Sequence, residues 1–71
     1  MSAEIRRLRL LRLALVLYMT GLSRSSLYEK IASGDFPKPV RLGTDAKSVA
    51  WPEHEVDAWI RNMIQRRDGD A

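Results

Sequence analysis

Arg24, Ser25, Ser26 and Tyr28 fall within one short stretch of a 71-residue chain, and Lys38, Arg41, Thr44 and Lys47 follow before residue 48. Short hydroxyls, a phenol and permanently charged nitrogens make a donor-rich set that suits an anion, above all the oxygens of a phosphate. Covalent chemistry is a poorer fit. Ser23, Ser25 and Ser26 have no base in their neighbourhood to activate them. His54 is the single histidine. At helical spacing it lies nearly opposite Val56 and Ile60, so it faces water with nothing to orient it.

The rest of the composition narrows the field further. The chain has no cysteine, which removes thiolate nucleophiles, disulfides and cysteine-based zinc sites together. No HExxH, GxxxxGK or CxxC spacing occurs. The acidic residues of the last third cluster at a helix start, where the dipole accounts for them. A chain this short closes one thin core and leaves little room for a buried pocket. No enzyme activity, metal, cofactor or small-molecule ligand is expected.

Charge is unevenly spread. Residues 1–12 carry +3, residues 13–51 carry +2 and residues 52–71 carry −2, for a net +3. A basic first two thirds beside an acidic last third fits a polyanion on one side of the molecule.

The elements that must position these groups follow from local signals. Residues 8–13, LRLLRL, suit a short strand or a lead-in turn. The run LALVLYM from Leu13 reads as a helix of good helix formers, closed by Gly21. Ser23 is placed to cap the next helix by accepting from the N–H of Ser25 or Ser26, with Leu22 folding back on Leu27. Leu27 and Ile31, four apart, share the inward face. That turns Ser25, Glu29 and Ala32 outward, with Ser26 and Tyr28 on the shoulders. Gly34 ends this helix. Two short helices joined by the tight TGLS turn have the layout of a helix-turn-helix unit.

Pro37 and Pro39 then force extended backbone. Val40 and Leu42, and Val49 and Trp51, alternate with Arg41 and Ala50 on either side of GTDAKS, which predicts a two-stranded hairpin with the apolar set on the core and Arg41 outside. Pro52 suits the first turn of a last helix. Val56, Trp59, Ile60, Met63 and Ile64 form its apolar stripe, and Trp51 and Trp59 are expected in the core. The expected organisation is a flexible basic arm over 1–7, one domain over 8–66 and a disordered tail over 67–71. The fold class is α+β, mostly α.

The start of the chain imitates a signal peptide, with cations before an apolar run, but the run is short and no A-x-A-like site follows. No stretch is long enough to span a bilayer, and a cytoplasmic protein is expected. The arginine-rich start reads as a frayed tail leading into a first core strand, or as an arm that grips a nucleic-acid backbone; a membrane-surface or protein-interaction role for the same start, and an antitoxin-like partner binder, are the alternatives from other classes.

Three pieces, TGLSRSSLY, GDFPKPVRLG and AW…EVDAWI, closely resemble the AlpA family of prophage-encoded regulators, and the likeness covers about Arg9 to Ile64. The resemblance implies a winged helix-turn-helix of the MerR/excisionase type that binds double-stranded DNA. Ser23–Ser33 would be its reading helix, and Val40 to Trp51 its wing. The positions facing DNA would be Arg24, Ser25, Ser26 and Tyr28, supported by Lys38, Arg41, Thr44 and Lys47. An excisionase-like factor that bends DNA for recombination is the alternative within the same class. The chain departs from the family where Leu15 replaces a polar residue of the first helix. That leaves Leu15 and Leu17 as an exposed apolar strip suited to self-association.

Overall fold

The computed structural model describes residues 8–69; the basic arm expected over 1–7 lies outside the described residues. Six elements follow in order: β1 (Leu10–Leu11), α1 (Leu13–Thr20), α2 (Arg24–Ser33), β2 (Val40–Arg41), β3 (Val49–Pro52) and α3 (Glu53–Gly69). The architecture is α+β, three helices on a small antiparallel sheet, consistent with a winged helix. Strand order is β1-β3-β2. Leu11 pairs with Trp51 and Leu10 with Pro52, while Val40 pairs with Ala50 and Arg41 with Val49.

The helix ends are set by the residues that sequence chemistry points to. Gly21 and Gly34 both take the left-handed conformation, at φ 76° and 86°. Gly21 N–H donates to the Leu17 carbonyl and Gly34 N–H to that of Ile31, so each glycine satisfies a carbonyl that its helix leaves open. Ser23 Oγ accepts from Ser26 N–H at 3.1 Å. Arg12 stands at the start of α1 in extended conformation and makes no side-chain cap.

The core is one cluster of Leu11, Val16, Leu27, Phe36, Trp51 and Val56, each at most 3% exposed. Leu22 and Ile31 are half-buried against it. β3 is its spine, because α1 and α3 both pack on β3 while β1 and β2 flank it. This corrects the expected hairpin. Ala50 is fully buried along with Trp51, whereas Val40 is 39% and Leu42 45% exposed. Consecutive strand residues face opposite ways, so a central strand is covered on both sides. The edge strand β2 has only two residues and little cover of its own.

α3 departs from expectation at three points. Pro52 ends β3 instead of opening the helix, which begins at Glu53. Val56 is buried and Trp59, Ile60 and Met63 are half-buried, but Ile64 is 48% exposed. The helix also continues through Gly69, past the expected boundary at 66. From Arg61 to Gly69 only Met63 is even half-buried, so the last turns run beyond the body they pack on, and Ile64 finds no partner surface.

Leu17 is corrected as well. It packs half-buried against the core, because α1 is apolar nearly all round and its Leu13/Leu17 edge borders the buried Val16. The large exposed apolar side chains of α1 are Leu15, at 40%, and Tyr18, at 84%.

Candidate nucleic-acid interface

The first turn of α2 presents its polar residues as the inward Leu27 and Ile31 dictate. Arg24 and Ser25 are exposed and Ser26 is half-buried. Tyr28 is 40% exposed and meets Trp51 edge-on, with ring centroids 6.5 Å apart. That contact holds the ring against the core edge with part of it still open to a partner. Glu29 and Ala32 are exposed beside them.

Two indoles hold the segment that links α2 to the sheet. Trp51 Nε1–H donates to the Pro37 carbonyl at 3.0 Å. Trp59 Nε1–H donates to the Asp35 carbonyl at 2.7 Å. Between them Phe36 is buried and stacks edge-on with Trp59 at 5.1 Å. Pro37 and Pro39 cannot donate to neighbours, so these carbonyls are met by side chains from β3 and α3. The two bonds fix how the chain leaves α2 for β2.

Asp45 organises the loop between β2 and β3. Its carboxylate accepts from Lys47 N–H at 2.8 Å, from Ser48 N–H at 2.7 Å and from Ser48 Oγ at 3.3 Å. The Ser48 N–H, then the Lys47 N–H, then the Ser48 hydroxyl hold its pKa below the usual aspartate value. Leu42 N–H donates to the Ser48 carbonyl at 2.6 Å and closes the hairpin below the loop.

These parts meet in one open cleft of about 540 Å³. Arg12 and Ala14 line it from the start of α1, Arg24 and Tyr28 from α2, and Ala46 and Lys47 from the loop. The structure therefore brings three of the residues singled out from sequence, Arg24, Tyr28 and Lys47, to a shared surface. Ser25, Lys38, Arg41 and Thr44 are exposed but do not line the cleft, and neither does Ser26. Arg12 was not among the residues singled out. The spacing of Asp45, Lys47 and Ser48 carries the signature of an Asx turn and could have exposed the loop's organisation in advance. Nothing local in the sequence joins Arg12 to Lys47.

His54 is exposed. Among the described residues no group of three or more His, Cys, Asp or Glu could hold a metal, and no helix is long and apolar enough to cross a membrane.

Comparison with known proteins gives the family. The profile of the family described as Prophage CP4-57 regulatory protein (AlpA) matches residues 9–64, from just before β1 into α3. The chain belongs to the AlpA family. Among its relatives, the uncharacterized protein ORF88 of Enterobacteria phage P4 is 45% identical over 64 residues, covering 90% of this chain and 70% of that protein. The DNA-binding transcriptional activator AlpA of Escherichia coli K12 is 38% identical over 58 residues, covering 73% of this chain and 80% of that protein. No solved structure matches. AlpA membership makes this a regulatory protein of prophage type, and the matched span takes in α1, α2, the sheet and most of α3.

Proposed function

We propose that this AlpA-family chain binds double-stranded DNA in a sequence-specific manner and regulates transcription. The observation that carries the reading is the cleft shared by Arg24 and Tyr28 of α2 and Lys47 of the wing loop. It puts the exposed first turn of the reading helix and a wing cation on the same side of the molecule, where one duplex can meet both. The name of the Escherichia coli relative, a DNA-binding transcriptional activator, supports the same class of activity.

In this reading α2 enters the major groove. Arg24, Ser25, Ser26 and Tyr28 meet base edges and the phosphates beside them. Lys38, Arg41, Thr44 and Lys47 hold the flanking backbone and fix the register. Selection of bound sequences from random duplex DNA at physiological salt tests the proposal. A recovered consensus supports it, and recovery without sequence preference contradicts it.

A further inference from the structure

The cleft holds more positive charge than the reading helix and wing account for. Arg12, Arg24 and Lys47 come from three separate stretches of chain and border the same space. No acidic side chain lines it. Among the described residues, none of the three cations has a carboxylate within salt-bridge distance. The acid nearest in influence is Asp45, which feels the charge of Arg12. Its oxygens are already occupied by Lys47 N–H, Ser48 N–H and Ser48 Oγ. Among the described residues, three like charges thus border an open space without an ion pair, and only Arg12 is reached by an acidic charge, that of Asp45. That arrangement is unfavourable alone and favourable around an anion.

The shape of the cleft narrows the kind of anion. At about 540 Å³ it is larger than one isolated ion requires, and it is partly open to solvent. Its other lining is apolar, with Leu13, Ala14, Ala46 and Val49 beside the three cations and Tyr28. A single strand of sugar-phosphate backbone has the matching form, with charge repeated along a flexible ribbon and apolar sugar edges between.

We infer that the cleft between the start of α1, the first turn of α2 and the wing loop seats the DNA backbone, with Arg12 as a phosphate-contacting residue. The inference rests on the DNA-binding reading above and extends it to α1. Recognition then has three points of support. α2 reads the groove, the wing loop holds one side of a backbone segment through Lys47, and Arg12 holds the other. Arg12 carries no sequence information in this arrangement and sets how deeply α2 sits.

A neutral-phosphate walk on the selected duplex tests it. Each backbone phosphate near the site is replaced in turn by an uncharged methylphosphonate, and binding is measured for the wild-type chain, Arg12→Ala, Arg12→Lys and Arg41→Ala. The expected result is one or two adjacent positions where the neutral linkage weakens the wild type several-fold but leaves Arg12→Ala unaffected, while Arg41→Ala still responds there. Arg12→Ala should also flatten the slope of log affinity against log salt by about 0.9, and Arg12→Lys should restore most of it. Circular dichroism of Arg12→Ala should match the wild type, since the exposed Arg12 side chain makes no helix cap.

If the wild type binds its site but Arg12→Ala keeps the full salt slope and every methylphosphonate sensitivity, the inference is overturned and the DNA-binding reading stands. If the wild type binds no duplex, both fall. Displacement of DNA by millimolar inorganic phosphate, beyond the effect of chloride at equal ionic strength, would make the cleft a site for small free anions and would also overturn it.

Discussion

Replacing Trp51 with phenylalanine removes one hydrogen bond and part of a ring from the centre of the fold. Trp51 is fully buried, and its Nε1–H donates to the Pro37 carbonyl at 3.0 Å in a part-buried site. Phenylalanine leaves that carbonyl without its donor, at a cost of about 1–3 kcal/mol. The lost volume, roughly 40 Å³ at about 24 cal/mol per Å³, adds about 1 kcal/mol if the site does not collapse. The sum is about 2–4 kcal/mol, a large part of the roughly 4–10 kcal/mol expected of a domain this size. Trp59→Phe is the control. Its bond to the Asp35 carbonyl is shorter, at 2.7 Å, but exposed, so water replaces it and the hydrogen-bond loss is about 0.5–1.5 kcal/mol. Urea unfolding followed by circular dichroism at 222 nm measures both without relying on the altered fluorophore. Trp51→Phe should cost at least twice what Trp59→Phe costs. It should also shift amide resonances of residues 38–41, since the segment entering the wing loses its anchor. Equal costs below about 1 kcal/mol for both would refute the claim that the buried indole fixes the wing against α2.

Three further outcomes follow from the local geometry. Ser23→Ala should lose about 1 kcal/mol of stability in the same unfolding assay, and Ser23→Gly only a few tenths; equal losses would mean that the bond to Ser26 N–H is not what caps α2. Gly34→Ala should cost about 1–2 kcal/mol, and backbone strain alone accounts for it, because a Cβ there meets nothing within 4 Å; a neutral substitution would contradict the left-handed turn. Asp45 titrates below its usual value, so its hold on the wing loop is complete above about pH 4 and is lost as pH falls through the lowered pKa. An NMR titration of its carboxyl carbon should give a midpoint below about 3.9. Ser48→Ala should move that midpoint upward only in part, since the backbone N–H groups of Ser48 and Lys47 remain.

Much of the helix-turn-helix was legible because its signals are local. Gly21, Ser23 and Gly34 act on backbone groups within a turn of themselves, and the four-residue spacing of Leu27 and Ile31 fixes which face of α2 looks out. The sheet was read less well because its cover depends on pairing across the chain. β1 joins β3 from forty or more residues away, which makes β3 central, buries Ala50 and leaves Val40 and Leu42 at the edge. Periodicity alone could not say where the body beneath α3 ends, so Ile64 read as core. The same limit hid the indole bonds, which reach back 14 and 24 residues to backbone carbonyls. It also hid Arg12, whose partners in the cleft lie on two other segments. Of the candidate site, the outward face of α2 was readable, and its junction with α1 and the wing loop required the fold.

The central claim is that the exposed first turn of α2 reads sequence while the wing holds backbone. Parallel selections from one random duplex library with the wild type, Ser25→Ala and Arg41→Ala test it most directly. The account predicts a changed consensus for Ser25→Ala, and for Arg41→Ala the wild-type consensus recovered with weaker binding to every sequence. An unchanged consensus with uniformly weaker binding for Ser25→Ala, or a shifted consensus for Arg41→Ala, would contradict it.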